Sequence, residues 1–272
     1  LDFLDKASFK YFADRGRYEA DEMGALLEVV AQTQDAVVLD VGANYGAVTL
    51  AVANAARRGG AHTIVDIEPD PRPVRALRAS VALNGFESRV TVVQAIASDE
   101  DGEETLFVNA RSSADNRTGV VTTAPITVRS TQRVEAVRID TLLDRLGIDR
   151  RRRFVIKMDI QGNEPRALAG MRRLLTECAG FVLFFEHCRY LIESAQCDYP
   201  AYLEALAALG CDEFYRIDEG QGLRRLEGMA GLLAEFDELD REHETRMQGA
   251  AGDFVVARGM NSPAQARGSS RA

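Results

Sequence analysis

The sequence predicts an α/β fold: a mostly parallel, seven-stranded sheet with helices on both faces. Three observations predict it. Apolar runs of strand length alternate with segments of helical apolar spacing along most of the chain. The first such run, "VVLDVGANYG" at residues 37–46, ends in a carboxylate and a glycine turn. The chain has 272 residues and is 46% hydrophobic, enough to bury the core of one such domain with additions.

Residues 2–13 and 19–33 carry apolar side chains at helical spacing: Phe3, Leu4, Phe9 and Phe12, then Met23, Leu26, Leu27 and Val30. They precede the first strand and predict an N-terminal helical lid over 1–35. The main domain is expected over 36–258. "AVVLDV" is its first strand, and "AVTLAVANAARR" a helix closed by Gly59 and Gly60. "AHTIVDIE" is the second strand. "PRPVRALRASVALNG" is a helix with prolines in its opening turn and a stop at Gly85. "RVTVVQAI" is the third strand.

The alternation then breaks. "ETLFVN", "GVVTT", "ITVR" and "VEAVRI" predict a small antiparallel β insertion over 100–139. "DTLLDRL" is a short helix. "RFVIKMDI" and "GFVLFFEH" are the fourth and fifth strands, each followed by a helix. "CDEFYRI" and "DFVVAR" complete the sheet, with "LAEFDELDREHETRM" helical between them. The small, polar tail over 259–272 is expected to be disordered.

The formal net charge of -9 argues against general nucleic-acid binding, which needs a basic face. The one basic run, residues 150–153, reads as a solvated connector or as an anion patch. No apolar run reaches membrane-spanning length, so no membrane role is expected. The N-terminal segment "LDFLDKASFKYF" lacks a signal-peptide layout, and the chain starts without Met, as a fragment would. Four cysteines without a CxxC pair point to the cytoplasm. His187, Cys188 and Cys197 match no common zinc spacing.

In a parallel sheet, ligands bind beyond the C-terminal strand ends. That rule selects residues 40–46, Glu68, residues 95–98, residues 159–164, and Glu186 with His187. A dinucleotide fingerprint needs G-x-G-x-x-G, and a triphosphate loop needs Gly-Lys-Ser/Thr. Neither is present. D-x-G-x-N-x-G is the methyltransferase form of the turn. Small residues at Gly42, Ala43 and Gly46, with Asn44 between them, let backbone approach the methionine end of S-adenosyl-L-methionine. Asp40 is expected to help hold its ammonium; the alternative is a helix cap. Glu68 is placed to accept hydrogen bonds from both ribose hydroxyls. Ala95 and Ile96 would flank the adenine.

"VLDVGANYG", "DIEPDPRPVRALRASVALNG", "VTVVQAIASDEDGEETLFV", "VRIDTLLDRLG" and "VIKMDIQGNEPRALAGM" occur in this order. Together they resemble the FkbM-type family of S-adenosylmethionine-dependent methyltransferases, across roughly residues 37–190. The resemblance implies a Rossmann-like class I methyltransferase fold. It also implies O-methylation of a hydroxyl on a small molecule, a sugar or glycan, or a polyketide. The family pattern K-x-D-x-E-G-x-E is met by Lys157, Asp159, Gly162 and Glu164, but Gln161 stands where Glu is common. Gln161 is therefore given no catalytic role.

Transfer to an aliphatic hydroxyl is helped by a general base or a metal ion. Asp159 ends the fourth strand on the acceptor side, and Lys157, two residues earlier, shares its strand face. The alternative is a structural ion pair. His187, after the fifth strand, is a candidate base, or a core histidine. Glu164 opens a helix, where a carboxylate also favours the dipole. Asp159 with Glu186 is an optional magnesium pair. A homo-oligomer is compatible with the sequence. A non-catalytic cofactor-binding scaffold and a nicotinamide oxidoreductase are the competing classes, the latter weakened by the missing fingerprint.

Overall fold

The computed structural model describes residues 5–6, 19–58, 62–118, 126–246 and 250–260. The first strand, β1 (Val37–Val41), is buried throughout. Val37, Leu39 and Val41 enter the hydrophobic cluster on one face of the sheet, and Val38 enters the cluster on the other. The period-2 pleat thus sends one apolar run into two cores.

Five strands run parallel in the order β3 (Val90–Val93), β2 (Thr63–Ile67), β1, β8 (Arg153–Met158) and β9 (Gly180–His187). β12 (Gly252–Arg258) pairs antiparallel with β9 and with β10 (Glu213–Asp218). An eighth strand, β11 (Gly222–Arg225), completes a hairpin with β10, where seven strands were expected. Gly220 and Gly222 have positive φ there, so a polar stretch without apolar alternation is reversed tightly enough to pair.

The insertion forms a second sheet of four strands: β4 (Ile96–Ala97), β5 (Gly102–Asn109), β6 (Arg117–Thr118) and β7 (Val128–Val137). β5 pairs antiparallel with β6 and β7, while β4 pairs parallel with β7. "ITVR" and "VEAVRI" are parts of the single strand β7. "GVVTT" and the Gly59–Gly60 stop lie outside the described residues, as do most of the 2–13 helix and all of the tail after Met260.

The helix α1 (Ala20–Gln32) is part of the domain rather than a lid. Ala25, Leu26, Val29 and Val30 pack in the same cluster as Val38, Val155 and Phe184. Its apolar stripe needs a partner, and one face of the sheet supplies it. α2 (Ala47–Ala55) covers the same face. α3 (Pro71–Leu83) is capped by Asp70, whose side chain accepts the Arg72 N–H at 2.9 Å. α4 (Ile139–Arg145), α5 (Glu164–Gly170), α6 (Arg172–Glu177), α7 (Arg189–Ser194), α8 (Tyr199–Ala207) and α9 (Gly228–Arg246) complete the helices described.

Three of the four arginines of the basic run are paired in place. Arg150 pairs with Asp144 and Glu177, Arg151 with Asp149, and Arg152 with Asp35. That is the connector reading. Among the described residues, no helix is long and apolar enough to cross a membrane.

Candidate functional site

The C-terminal ends of β1, β2 and β8, with β4 and β5 of the insertion, surround one cavity of about 1170 Å³, its open mouth included. Seven of the eight residues expected to hold the cofactor line it; Gly46 does not. Lys157, Asp159 and Gln161 also line it, together with Glu19.

The glycine turn is built for close approach. Gly42 has φ 89°, and its N–H donates to the Ile67 carbonyl at 2.9 Å. A Cβ on Gly42 would overlap the Asp159 carbonyl oxygen, and one on Gly46 (φ 82°) would overlap Leu77. Asn44 also has positive φ, 48°. Asparagine tolerates that region better than most residues, which accounts for its presence between two glycines.

Glu68 is tied to that turn. Its Oε2 accepts the Asn44 N–H at 3.0 Å, and its Oε1 accepts the Asp70 N–H at 2.8 Å. Burial pushes its pKa up to about 8, against the pull of these two N–H donors and with a push from Asp70 and Asp40. A buried carboxylate with unused lone pairs suits a ligand that brings hydroxyl donors.

The insertion closes over the turn. Ser113 Oγ donates to Asn44 Oδ1 at 2.9 Å, and the Ser113 N–H donates to Asp5 Oδ2 at 3.0 Å. Asn116 Nδ2 donates to Asp70 Oδ2 at 3.0 Å. Sequence reasoning missed these residues. "SSADN" signals a turn and nothing about its partners, 69 positions away in the case of Asn44.

Next to Asp40 in register, Lys157 is 6% exposed. Its Nζ lies 3.3 Å from Asp159 Oδ2 and 3.5 Å from Glu22 Oε2. Burial opposes its charge, but Glu22, Asp159, Glu19 and Asp40 outweigh burial and hold the ammonium well above its ordinary pKa. The acids outnumber this cation. Burial pushes Glu22 up to about 8 and Asp253 to about 6, and holds Glu186 well above its ordinary range.

Gln161 sits at φ 57°, and its side-chain amide donates to Asp159 Oδ1 at 2.9 Å and Glu186 Oε2 at 3.2 Å. A neutral donor thus stands between the two carboxylates of the expected magnesium pair. Among the described residues, no three His, Cys, Asp or Glu side chains are grouped to hold a metal ion.

Two expected catalytic residues are placed elsewhere. His187 is fully buried, stacked on Phe236 at 3.5 Å between ring centroids, with Tyr199 Oη 3.3 Å from its Nε2. Burial, with Arg189 nearby, lowers its pKa to about 3. The pleat explains the correction. His187 continues the parity of Phe181, Leu183 and Phe185, which face the hydrophobic core, while Glu186 faces the opposite side. Glu164 is also buried away from the cavity. Its Oε1 accepts the Ile160 N–H at 3.0 Å, which closes the loop carrying Asp159 and Gln161. Burial raises its pKa to about 7.

The site thus sits on a parallel sheet extended by an antiparallel β12, with a glycine turn after β1 and a glutamate after β2. Residues 40–217 match the model of the methyltransferase FkbM domain. The chain belongs to the FkbM methyltransferase family.

Solved structures that it is similar to include a methyltransferase FkbM from Methylobacillus flagellatus KT, at 18% identity and a TM-score of 0.46. That similarity covers 82% of this chain, which spans 43% of the other. A putative O-methyltransferase from Klebsiella pneumoniae matches at 14% identity and a TM-score of 0.46, over 92% of this chain and 81% of that one. A SAM dependent methyltransferase from Aquifex aeolicus matches at 12% identity and a TM-score of 0.43, over 93% and 97%. Among curated proteins no match is found.

Proposed function

We propose that the chain is an S-adenosyl-L-methionine-dependent O-methyltransferase acting on a hydroxyl of a small molecule, a sugar or glycan, or a polyketide-type product. The observation that carries this reading is Glu68. It is a buried carboxylate after β2, bonded to the backbone of the glycine turn, and it lines the cavity. Glu68 holds the ribose, Gly42, Ala43, Asn44 and Gly46 lie along the methionine portion, Asp40 faces the ammonium, and Ala95 and Ile96 flank the adenine. Bound there, S-adenosylmethionine supplies an electrophilic methyl group on a positively charged sulfur.

Asp159 is the acceptor-side group and takes the proton of the attacking hydroxyl. Lys157 and Gln161 hold its two oxygens in place and are positioning residues. Neither His187 nor Glu164 is needed in this scheme. Asp159 and Glu186 are engaged by Gln161, so they are not assigned as magnesium ligands. The four cysteines remain free thiols and support a cytoplasmic setting.

Titration with S-adenosylhomocysteine tests the cofactor half. Saturable binding that Glu68→Ala weakens about tenfold or more is expected, since hydrogen bonds to a charged group contribute roughly 1.5–3 kcal/mol. No binding to the wild type would defeat the reading. Methyl transfer to a panel of hydroxylated acceptors, with Asp159→Asn as control, tests the chemistry.

A further inference from the structure

One row of charged residues crosses the sheet beneath α1 and α2. In register, Asp66 of β2 lies beside Asp40 of β1, and Asp40 beside Lys157 of β8. All three share the strand parity of Val38, Ile64 and Val155, which face these helices. Thr49 of α2 drops its hydroxyl between the two aspartates. Its Oγ1 is 3.0 Å from Asp40 Oδ2 and 2.8 Å from Asp66 Oδ1. Asp66 and Thr49 are fully buried, and Asp40 is 1% exposed.

Proton counting limits this arrangement. A threonine hydroxyl has one proton and can donate to one carboxylate only. The second contact at hydrogen-bond distance then needs a proton from the other side. Two adjacent carboxyls sharing one site hold a proton in the same way. The neighbours say which one holds it. Asp40 has Lys157 beside it, while Asp66 has Val92 on its other flank and no cation. Asp66 Oδ2 has no hydrogen-bond partner. An orphaned oxygen is far less costly on a neutral acid, where it is a carbonyl, than on a buried anion. Burial and Asp40 hold Asp66 well above the ordinary carboxylate range, whereas burial raises Asp40 only to about 6 because Lys157 and Thr49 pull against it.

We propose that Asp66 is a neutral, proton-carrying positioning residue that donates to Thr49, which donates in turn to Asp40, fixing an ionised Asp40 at the floor of the cofactor cavity. No bond is made or broken in this chain of hydrogen bonds. The proton stays on Asp66 and the negative charge stays on the residue facing the ligand. The functional half of the inference rests on the proposed cofactor reading, in which Asp40 faces the ammonium.

The test uses the full chain and three variants. Asp66→Asn replaces the protonated acid by an amide that donates the same hydrogen bond. Infrared difference spectra between wild type and Asp66→Asn at neutral pH should show loss of a protonated-carboxyl carbonyl band. Loss of a carboxylate band instead would overturn the proposal. Asp66→Asn should bind S-adenosylhomocysteine within about twofold of wild type, and Thr49→Val about tenfold or more weakly, with Thr49→Ser restoring affinity. A tenfold loss in Asp66→Asn, or an unaffected Thr49→Val, would also overturn it. Absence of any binding to the wild type would sink the cofactor reading, while the infrared arm would still decide where the proton sits.

Discussion

Glu68 combines a functional position with an unfavourable one. Its carboxyl is raised to about 8 by burial, so near neutral pH the ligand-free protein holds it largely protonated. A ribose that donates to both oxygens favours the ionised form. Ligand binding should therefore release a proton, and affinity for S-adenosylhomocysteine should rise as pH increases from 6.5 towards 8, by up to about tenfold per unit. Glu68→Gln should flatten that dependence and weaken binding. A pH-independent affinity in the wild type would contradict the assignment. His187 supports the opposite expectation for activity. It is neutral, stacked and closed off from the cavity. His187→Phe should leave turnover within about threefold, whereas losing a general base would cost roughly 10²–10⁴. Glu68 was legible in the sequence because strand end and residue type coincide locally. The burial of His187 was not legible in this way, because both faces of β9 are apolar and strand parity alone does not tell its side from that of Glu186.

The insertion is the element whose role depends most on contacts distant in sequence. Ser113 and Asn116 hold it to the glycine turn and to the cap of α3. The cavity is roofed in part by Ser113, Ala114 and Asn116. Ser113→Ala combined with Asn116→Ala should loosen this roof. The dissociation rate of S-adenosylhomocysteine should rise several-fold, with a stability loss of about 1–3 kcal/mol from the two bonds. Stopped-flow release and thermal melts measure the two effects, and an unchanged release rate would remove the insertion from cofactor retention. The glycine turn makes the contrasting case. Gly42→Ala should abolish binding, because the added Cβ meets the backbone carbonyl of Asp159, which cannot move independently. Here the local spacing of Gly42 and Gly46 marks a turn that the structure shows, with both glycines at positive φ, whereas nothing near residues 112–116 names their partners.

Across the whole molecule, the acidic groups around the cavity set the pH dependence of stability. Glu22 and Glu68 are both raised to about 8 by burial. Their folded pKa values exceed the unfolded one of 4.5, so the folded state binds more protons between these limits and stability falls as pH rises. His187 acts in the other direction, because its folded pKa of about 3 lies below the unfolded 6.5, and its contribution is complete only well above 6.5. From pH 6.5 to 8 the two carboxyl groups outweigh what remains of the histidine's titration. The ligand-free protein should lose stability over that window, by up to ~1.4 kcal/mol per pH unit for each group. Chemical denaturation at several pH values checks this, and saturating S-adenosylhomocysteine should offset part of the loss by binding the folded state. Stability that rises through this window would contradict the buried, protonated state of these acids.

The strand–helix alternation, the glycine turn, the carboxylates at strand ends and the proline-opened α3 could all be read from residue order. Each depends on backbone preferences and periodicities that operate over a few positions. The row Asp66–Asp40–Lys157 could not be read that way. Strand register places those residues side by side, and the helix layer brings Glu22 and Thr49 down onto them. The same holds for Gln161 between Asp159 and Glu186, for Ser113 on Asn44, and for α1 as part of the core rather than a lid. In each case the side chain's chemistry is local, but its partner is set by how layers pack. A carboxylate becomes an ion-pair member, a ligand contact or a neutral acid according to what that packing places within about 3 Å of it.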